Sequence, residues 1–166
     1  MLTLKQLSHA SVPGAMAKVE RYRLLNEPAE AESICHDILE VEPDNQPVLI
    51  AMVLCLSDQI PEDPKAAARA LDVASKLKDP YDRAYYSGIV WERKAKAHFH
   101  KGAYGNQHTV YDWVERALNL FQEAEHIRPP GNDDAILRWN ACVRFLKSHP
   151  ELTPRTSEAT VAIMSE

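Results

Sequence analysis

The sequence predicts an all-α protein built as a stack of helical hairpins, and three observations carry that expectation. The first is a recurring spacing: Ala117, Phe121, Ala124 and Pro129 stand at offsets of four, seven and twelve, and Ala31, Cys35, Ile38 and Pro43 repeat them. Ala67, Leu71 and Ala74 give a further copy, in which Pro80 arrives one residue late. The second is the helical stretch that precedes each copy. Residues four and seven apart share one stripe of a helix, so the small Ala lets the preceding helix approach while Cys35, Leu71 or Phe121 fills the space beside it. The third is the proline that ends each copy, because proline lacks an N–H and disfavours helix in the residue before it. One hairpin cannot bury its own apolar stripe, so neighbours stack and the last needs a cap.

Taken in order, residues 1–12 read as an N-terminal arm. The first hairpin spans about 13–41, with Tyr22 facing Ala31 across a turn at Asn26, Glu27 and Pro28. Asp44 and Asn45 after Pro43 suit a turn and then an N-cap. The second hairpin spans about 46–78. Its turn, Ile60-Pro61-Glu62-Asp63-Pro64, is two residues longer than the first, since Leu56 precedes Ala67 by eleven where Tyr22 precedes Ala31 by nine. The third hairpin, about 81–128, departs furthest, because Trp91 precedes Ala117 by twenty-six residues. Ala84, Gly88, Trp91, Ala95 and Phe99 nevertheless continue one stripe, as do Val110, Val114, Ala117, Leu118, Phe121 and Ala124 on the return. Residues 101–107 between them have a turn composition. Both helices are therefore expected to be about two turns longer, projecting roughly 12 Å beyond their neighbours. After Pro129-Pro130-Gly131, residues 132–147 read as a capping helix, with Asp133 and Asp134 near its start complementing the dipole. Residues 148–166 read as a flexible tail, rich in proline, threonine and serine from Pro150 onward.

Ser87-Gly88 followed by Trp91 reproduces the small-residue pair and aromatic that open the tetratricopeptide (TPR) pattern, and Ala117 followed four residues later by Phe121 reproduces its second half. Over roughly residues 13–147 the chain resembles the TPR family. The resemblance implies a right-handed superhelical stack of TPR-like hairpins closed by the C-terminal helix, acting as a non-enzymatic scaffold or adaptor for another protein.

Composition sets limits on function. A chain of 166 residues fits one domain large enough to bury a core. Cys35, Cys55 and Cys142 fall in apolar helical patterns without a C-x-x-C pair, so zinc or redox spacing is lacking. An odd number of scattered cysteines suits a reducing compartment. Residues 1–9 alternate polar and apolar without the pattern of a signal peptide, and cytoplasm is the expected location. The longest apolar run, 48–56, is far short of the about 20 residues a bilayer requires, so no membrane partner is expected. A net charge of −5 disfavours a broad nucleic-acid surface. The local exception is the basic run at residues 93–101, which reads as a solvated helix end whose cations complement the dipole.

Catalytic signatures are missing, and no enzyme activity or cofactor is expected. Gly102-Ala103-Tyr104-Gly105 lacks the Gly-Lys-Ser/Thr ending of a phosphate loop, and neither a Gly-x-Ser-x-Gly elbow nor a His-Glu-x-x-His helix occurs. Glu123 and His126 have the spacing of a di-iron helix, but no second copy exists and Glu123 lies off the apolar stripe. His98, His100 and His108 flank the long turn and form the one candidate metal cluster. Residues two apart on a helix point to nearly opposite sides, so His98 and His100 chelate together only if the helix frays; exposed histidines are the plainer reading.

By the resemblance, a ligand peptide lies in the concave groove lined by the first helix of each hairpin. That face is expected to include Glu20, Arg23, Ile50 and Leu54, with partner binding centred on Tyr85, Tyr86, Ile89, Arg93, Asn140 and Arg144. Tyrosine and arginine are enriched at interface hot spots. Family members that grip chaperone tails use a clamp of lysines, asparagines and an arginine. The matching positions here carry Met16, Glu20, Ala51, Asp82 and Tyr86, so no such clamp forms. Two alternatives accompany the scaffold reading: a small TPR-type chaperone for a secreted or assembling client, and a metal-responsive protein using His98, His100 and His108.

Overall fold

The computed structural model describes residues 1–102 and 105–156. Among these all regular secondary structure is helical, without strands: a short 3-10 turn at His9–Ser11 leads into α1 (Val12–Leu24), α2 (Pro28–Val41), α3 (Gln46–Asp58), α4 (Ala66–Ser75), α5 (Pro80–His100), α6 (Gln107–Ile127) and α7 (Asp134–Ser148).

Local sequence explains the boundaries. Proline occupies the first turn of α1, α2, α3 and α5, where its missing N–H has no helical partner to lose. Asn45 caps α3 by accepting from the Val48 amide at 3.1 Å, and Asp79 caps α5 by accepting from the Tyr81 amide at 2.9 Å. Asn26, at φ 59°, turns the chain between α1 and α2 in the left-handed region that short polar side chains tolerate.

Each helix packs against the next, and the odd-numbered helices also touch one another in series: α1 with α3, α3 with α5, α5 with α7. Ala31, Ala67 and Ala117 are buried, as close approach by the preceding helix requires. One core layer lies under hairpins α1–α2 and α3–α4, and a second joins α5, α6 and α7. In the second, Phe121 is fully buried and lies over Gly88: a Cβ added at Gly88 would stand 2.6 Å from the ring. Only glycine lets α5 and α6 approach this closely there.

Helices α5 and α6 each run 21 residues where α1 and α3 run 13, which is the expected lengthening. Arg93 pairs with Asp58, the last residue of α3, so residues 94–100 continue past the end of α3 for about 10 Å. The extension is buttressed on two sides. Ile60 and Pro64 of the α3–α4 loop border Lys94, Ala97 and Trp113 on one side, and on the other Phe99 packs edge-on against Phe145 at 5.3 Å.

The expected tail from residue 148 requires correction. Helix α7 ends at Ser148, but the following segment packs back along α6: Leu152 is 6% exposed in the second core, the Thr153 carbonyl accepts from His108 Nδ1 at 2.8 Å, and Arg155 reaches Asp112 at 3.3 Å. Proline breaks a helix without precluding packing, and Leu152 supplies the apolar anchor. Residues 157–166 lie outside the described residues.

Candidate functional site

The face formed by the odd-numbered helices carries a ladder of charges. Arg23 on α1 donates to Asp58 at 2.8 Å, and Arg93 on α5 donates to the other oxygen of the same carboxylate, to Ser57 Oγ and, at 3.4 Å, to the Leu54 carbonyl. One step further along, Glu92 is 2% exposed, accepts from Lys96 at 2.6 Å and lies 3.6 Å from Arg138 of α7. Each carboxylate is thus shared by two cations, so that within the ladder cations outnumber carboxylates in a protein whose net charge is −5. Between the end of α3 and the extension of α5 lies an open cleft of roughly 510 Å³, lined by Ser57, Asp58, Pro61, Arg93, Lys96, Ala97, His100 and Lys101.

The residues expected to bind a partner are distributed unevenly. Arg93 does border the cleft, but its guanidinium is committed to α3, and burial lowers its pKa while Asp58 opposes the shift. Ile89 is a correction: at 3% exposed it belongs to the second core and offers no surface to a partner. Tyr85 is half-buried among aromatic rings, 5.0 Å from Tyr86 and 6.0 Å from Phe121. Tyr86 bridges the two core layers. Asn140 and Arg144 stand about half a turn around α7 from buried Cys142, and among the described residues neither side chain bonds to α5. The α7 residue that does meet α5 by charge is Arg138, with Phe145 lying under Lys96 at 5.7 Å.

Burial pushes the Tyr86 phenol up to about 12, with nearby Asp82 adding to the shift. The folded chain therefore holds this phenol neutral where an unfolded chain ionises near pH 10, and the stability it confers is present below pH 10 and lost as pH rises toward about 12. Burial raises the Tyr81 phenol as well, so alkaline titration followed by tyrosinate absorbance is expected to show late-ionising phenols of which Tyr86→Phe removes one, with the folded state losing about 1–2 kcal/mol across the Tyr86 window. An unchanged titration curve in Tyr86→Phe counts against this burial.

The candidate metal cluster does not assemble. His98 lies against the Trp113 ring at 5.0 Å, His100 Nδ1 is 2.6 Å from the Lys96 carbonyl oxygen, and His108 turns to Thr153. Among the described residues no group of three His, Cys, Asp or Glu side chains is placed to hold a metal ion. Interaction with the neighbouring Cys55 thiol, together with burial, raises the pKa of Cys35 well above the usual thiol range, and the same interaction lowers that of Cys55. Cys142 is pushed up to about 12 by burial, with Glu92 contributing. Cys35 and Cys142 are protonated packing groups in the sense that matters for nucleophilicity.

Sequence reading missed Asp58, Glu92, Lys96 and Arg138 as members of one face. Glu92 and Lys96 are four apart on α5, a pairing signal present in the sequence; the cross-helix partners are set by packing alone. Also missed was a second, larger concavity of roughly 770 Å³ at the loop end of the first two hairpins, where Glu27, Glu30, Asp58, Glu62 and Asp63 gather around Tyr22, Asn26 and Pro61. Among the described residues no helix is long and apolar enough to cross a membrane. A scan against protein-family models finds no match, and no curated protein or solved structure matches the chain.

Proposed function

We propose that this chain is a non-enzymatic interaction module: a TPR-like superhelical stack whose odd-helix face holds an extended, acidic segment of another protein. The observation that carries the reading is the shared-carboxylate ladder, Arg23–Asp58–Arg93 and Lys96–Glu92–Arg138, which leaves cations in surplus beside an open cleft. Contact among the odd-numbered helices, without comparable contact among the even-numbered ones, supports a curved stack with the charged face on the inside. An extended segment suits such a face because its backbone and side chains stay accessible to fixed donors, and arginine and lysine at the rim steer acidic partners toward it.

Selection from a random peptide display library tests the reading. Enriched peptides are expected to carry clustered Asp and Glu, to perturb amide resonances of residues 54–58 and 93–101, and to lose about tenfold or more in affinity on Lys101→Glu, since Lys101 lines the cleft without pairing to Glu92. Selected peptides that map to the even-helix face, or whose binding is indifferent to Lys101→Glu, sink it.

A further inference from the structure

The segment that follows α7 is a strap along α6, and its root reaches toward the α3–α5 cleft. Helix α7 ends at Ser148, and the next residue, His149, sets its ring 4.4 Å from Phe99 of α5 and 4.8 Å from Phe145 of α7. The Leu152 amide donates to the His149 carbonyl at 3.0 Å, and Glu151 stands 3.4 Å from His149 Nδ1, so the ring and the buried Leu152 anchor belong to one turn. Past the turn, α6 holds the strap through His108 on the Thr153 carbonyl and through Thr109 and Asp112 on Arg155.

The same two phenylalanines bear on cations of the cleft. The Lys96 ammonium lies over the Phe145 ring at 5.7 Å while it donates to Glu92, and Phe99 meets the His100 ring edge-on at 5.7 Å. His100 Nδ1 is 2.6 Å from the Lys96 carbonyl; a carbonyl only accepts, so this nitrogen donates and the ring is oriented from within α5. Lys96 and His100 both line the cleft, whereas His149 does not. An aromatic triad therefore stands between strap and cleft, and its members are in contact with both.

We propose that the strap regulates the cleft: seated on α6, it wedges His149 against Phe99 and Phe145 and so holds Lys96 and His100 in place for an acidic segment; lifted, it frees them. The inference rests on the reading of the cleft as a site for such a segment. Half-exposed lysine and histidine side chains have several rotamers to choose from, and a packed ring behind them removes that freedom before a ligand arrives. Of residues 149–156 only Leu152 is buried, and the Arg155 contacts are exposed, so the strap can open without parting the helices. A ligand that favours the seated state must in turn stabilise it, because coupling between two equilibria is reciprocal.

Two variants remove the wedge without altering a residue that lines the cleft: His149→Ala deletes the ring, and Leu152→Asp withdraws the turn from the core. With a synthetic peptide of alternating glutamate and serine as the probe, each is expected to weaken binding about fivefold or more at unchanged helix content. His149→Phe, which keeps a ring in the wedge, is expected to recover most of that loss. Saturating probe is expected to slow hydrogen exchange of the Leu152 amide in the wild-type chain by about the factor that Leu152→Asp costs in affinity. Without probe, the side-chain resonances of Lys96 and His100 are expected to move in both variants. Should Leu152→Asp lose helix, the comparison of His149→Ala with His149→Phe carries the test. Unmoved Lys96 and His100 resonances overturn the inference, as does full probe affinity in the folded variants or a Leu152 amide indifferent to the probe. Resonances that move, together with probe binding that ignores Lys101→Glu, would mean that strap and cleft are coupled and that the acidic occupant is wrong.

Discussion

Phe121→Ala is expected to lower the stability of the chain by about 3–5 kcal/mol, the range for emptying a fully buried aromatic site. The ring is wholly excluded from water at the seam of α5 and α6, and Tyr85 packs 6.0 Å from it, so little can collapse into the vacated volume. The same seam makes a second, opposite prediction. Gly88→Ala places a Cβ 2.6 Å from the Phe121 ring and is expected to cost about 1–3 kcal/mol, although alanine is the better helix former by about 1 kcal/mol. In the Phe121→Ala background the added methyl has room, and the substitution is expected to become neutral or stabilising. Urea unfolding of the four members of this cycle measures the coupling. Additive penalties would show that Gly88 and Phe121 do not face each other.

The buried carboxylate of Glu92 sets the other large effect. One of its oxygens lies in the interior without a hydrogen bond, compensated only by Lys96 and, more distantly, Arg138. Replacing both cations, Lys96→Met with Arg138→Met, leaves a buried negative charge alone and is expected to cost about 3–5 kcal/mol. Adding Glu92→Leu removes that charge and is expected to return most of the loss, because an apolar replacement for a whole buried ion group is often neutral. A loss under about 1 kcal/mol in the double variant would mean that water reaches the carboxylate.

Much of the fold is legible in the sequence because helix formation and helix termination are local. Apolar stripes in 84–99 and 110–124 run on without a break, so the lengthening of α5 and α6 can be read directly, and prolines mark the starts of four helices. The candidate site is less legible for a physical reason. Whether Arg93 is free or committed depends on Asp58, thirty-five residues away, and nothing near either residue announces the other. Ile89 has the spacing of a first-helix groove position but is buried in the second core, and which stripes of α5 are covered depends on packing that no local pattern encodes. Family register places Asn140 and Arg144 on the groove, whereas the α7 residue brought to α5 is Arg138, two and six positions away. The strap after α7 is not legible because its prolines say what the segment cannot form and leave open where it rests.

That strap bears on how the chain reaches its native state. Most inter-helix contacts join neighbours in the sequence, an arrangement of low contact order that favours assembly in microseconds to milliseconds by growth from any well-formed hairpin. The bonds from Thr153 to His108 and from Arg155 to Thr109 close loops of 45 and 46 residues, and they can form only after α6 and α7 have docked. Closing such loops comes late on the path and contributes little to its rate-limiting step. The strap therefore acts mainly on the reverse reaction: Leu152→Ala is expected to hasten unfolding while leaving refolding nearly unchanged, so that its native contacts govern the lifetime of the folded chain more than the speed of its making.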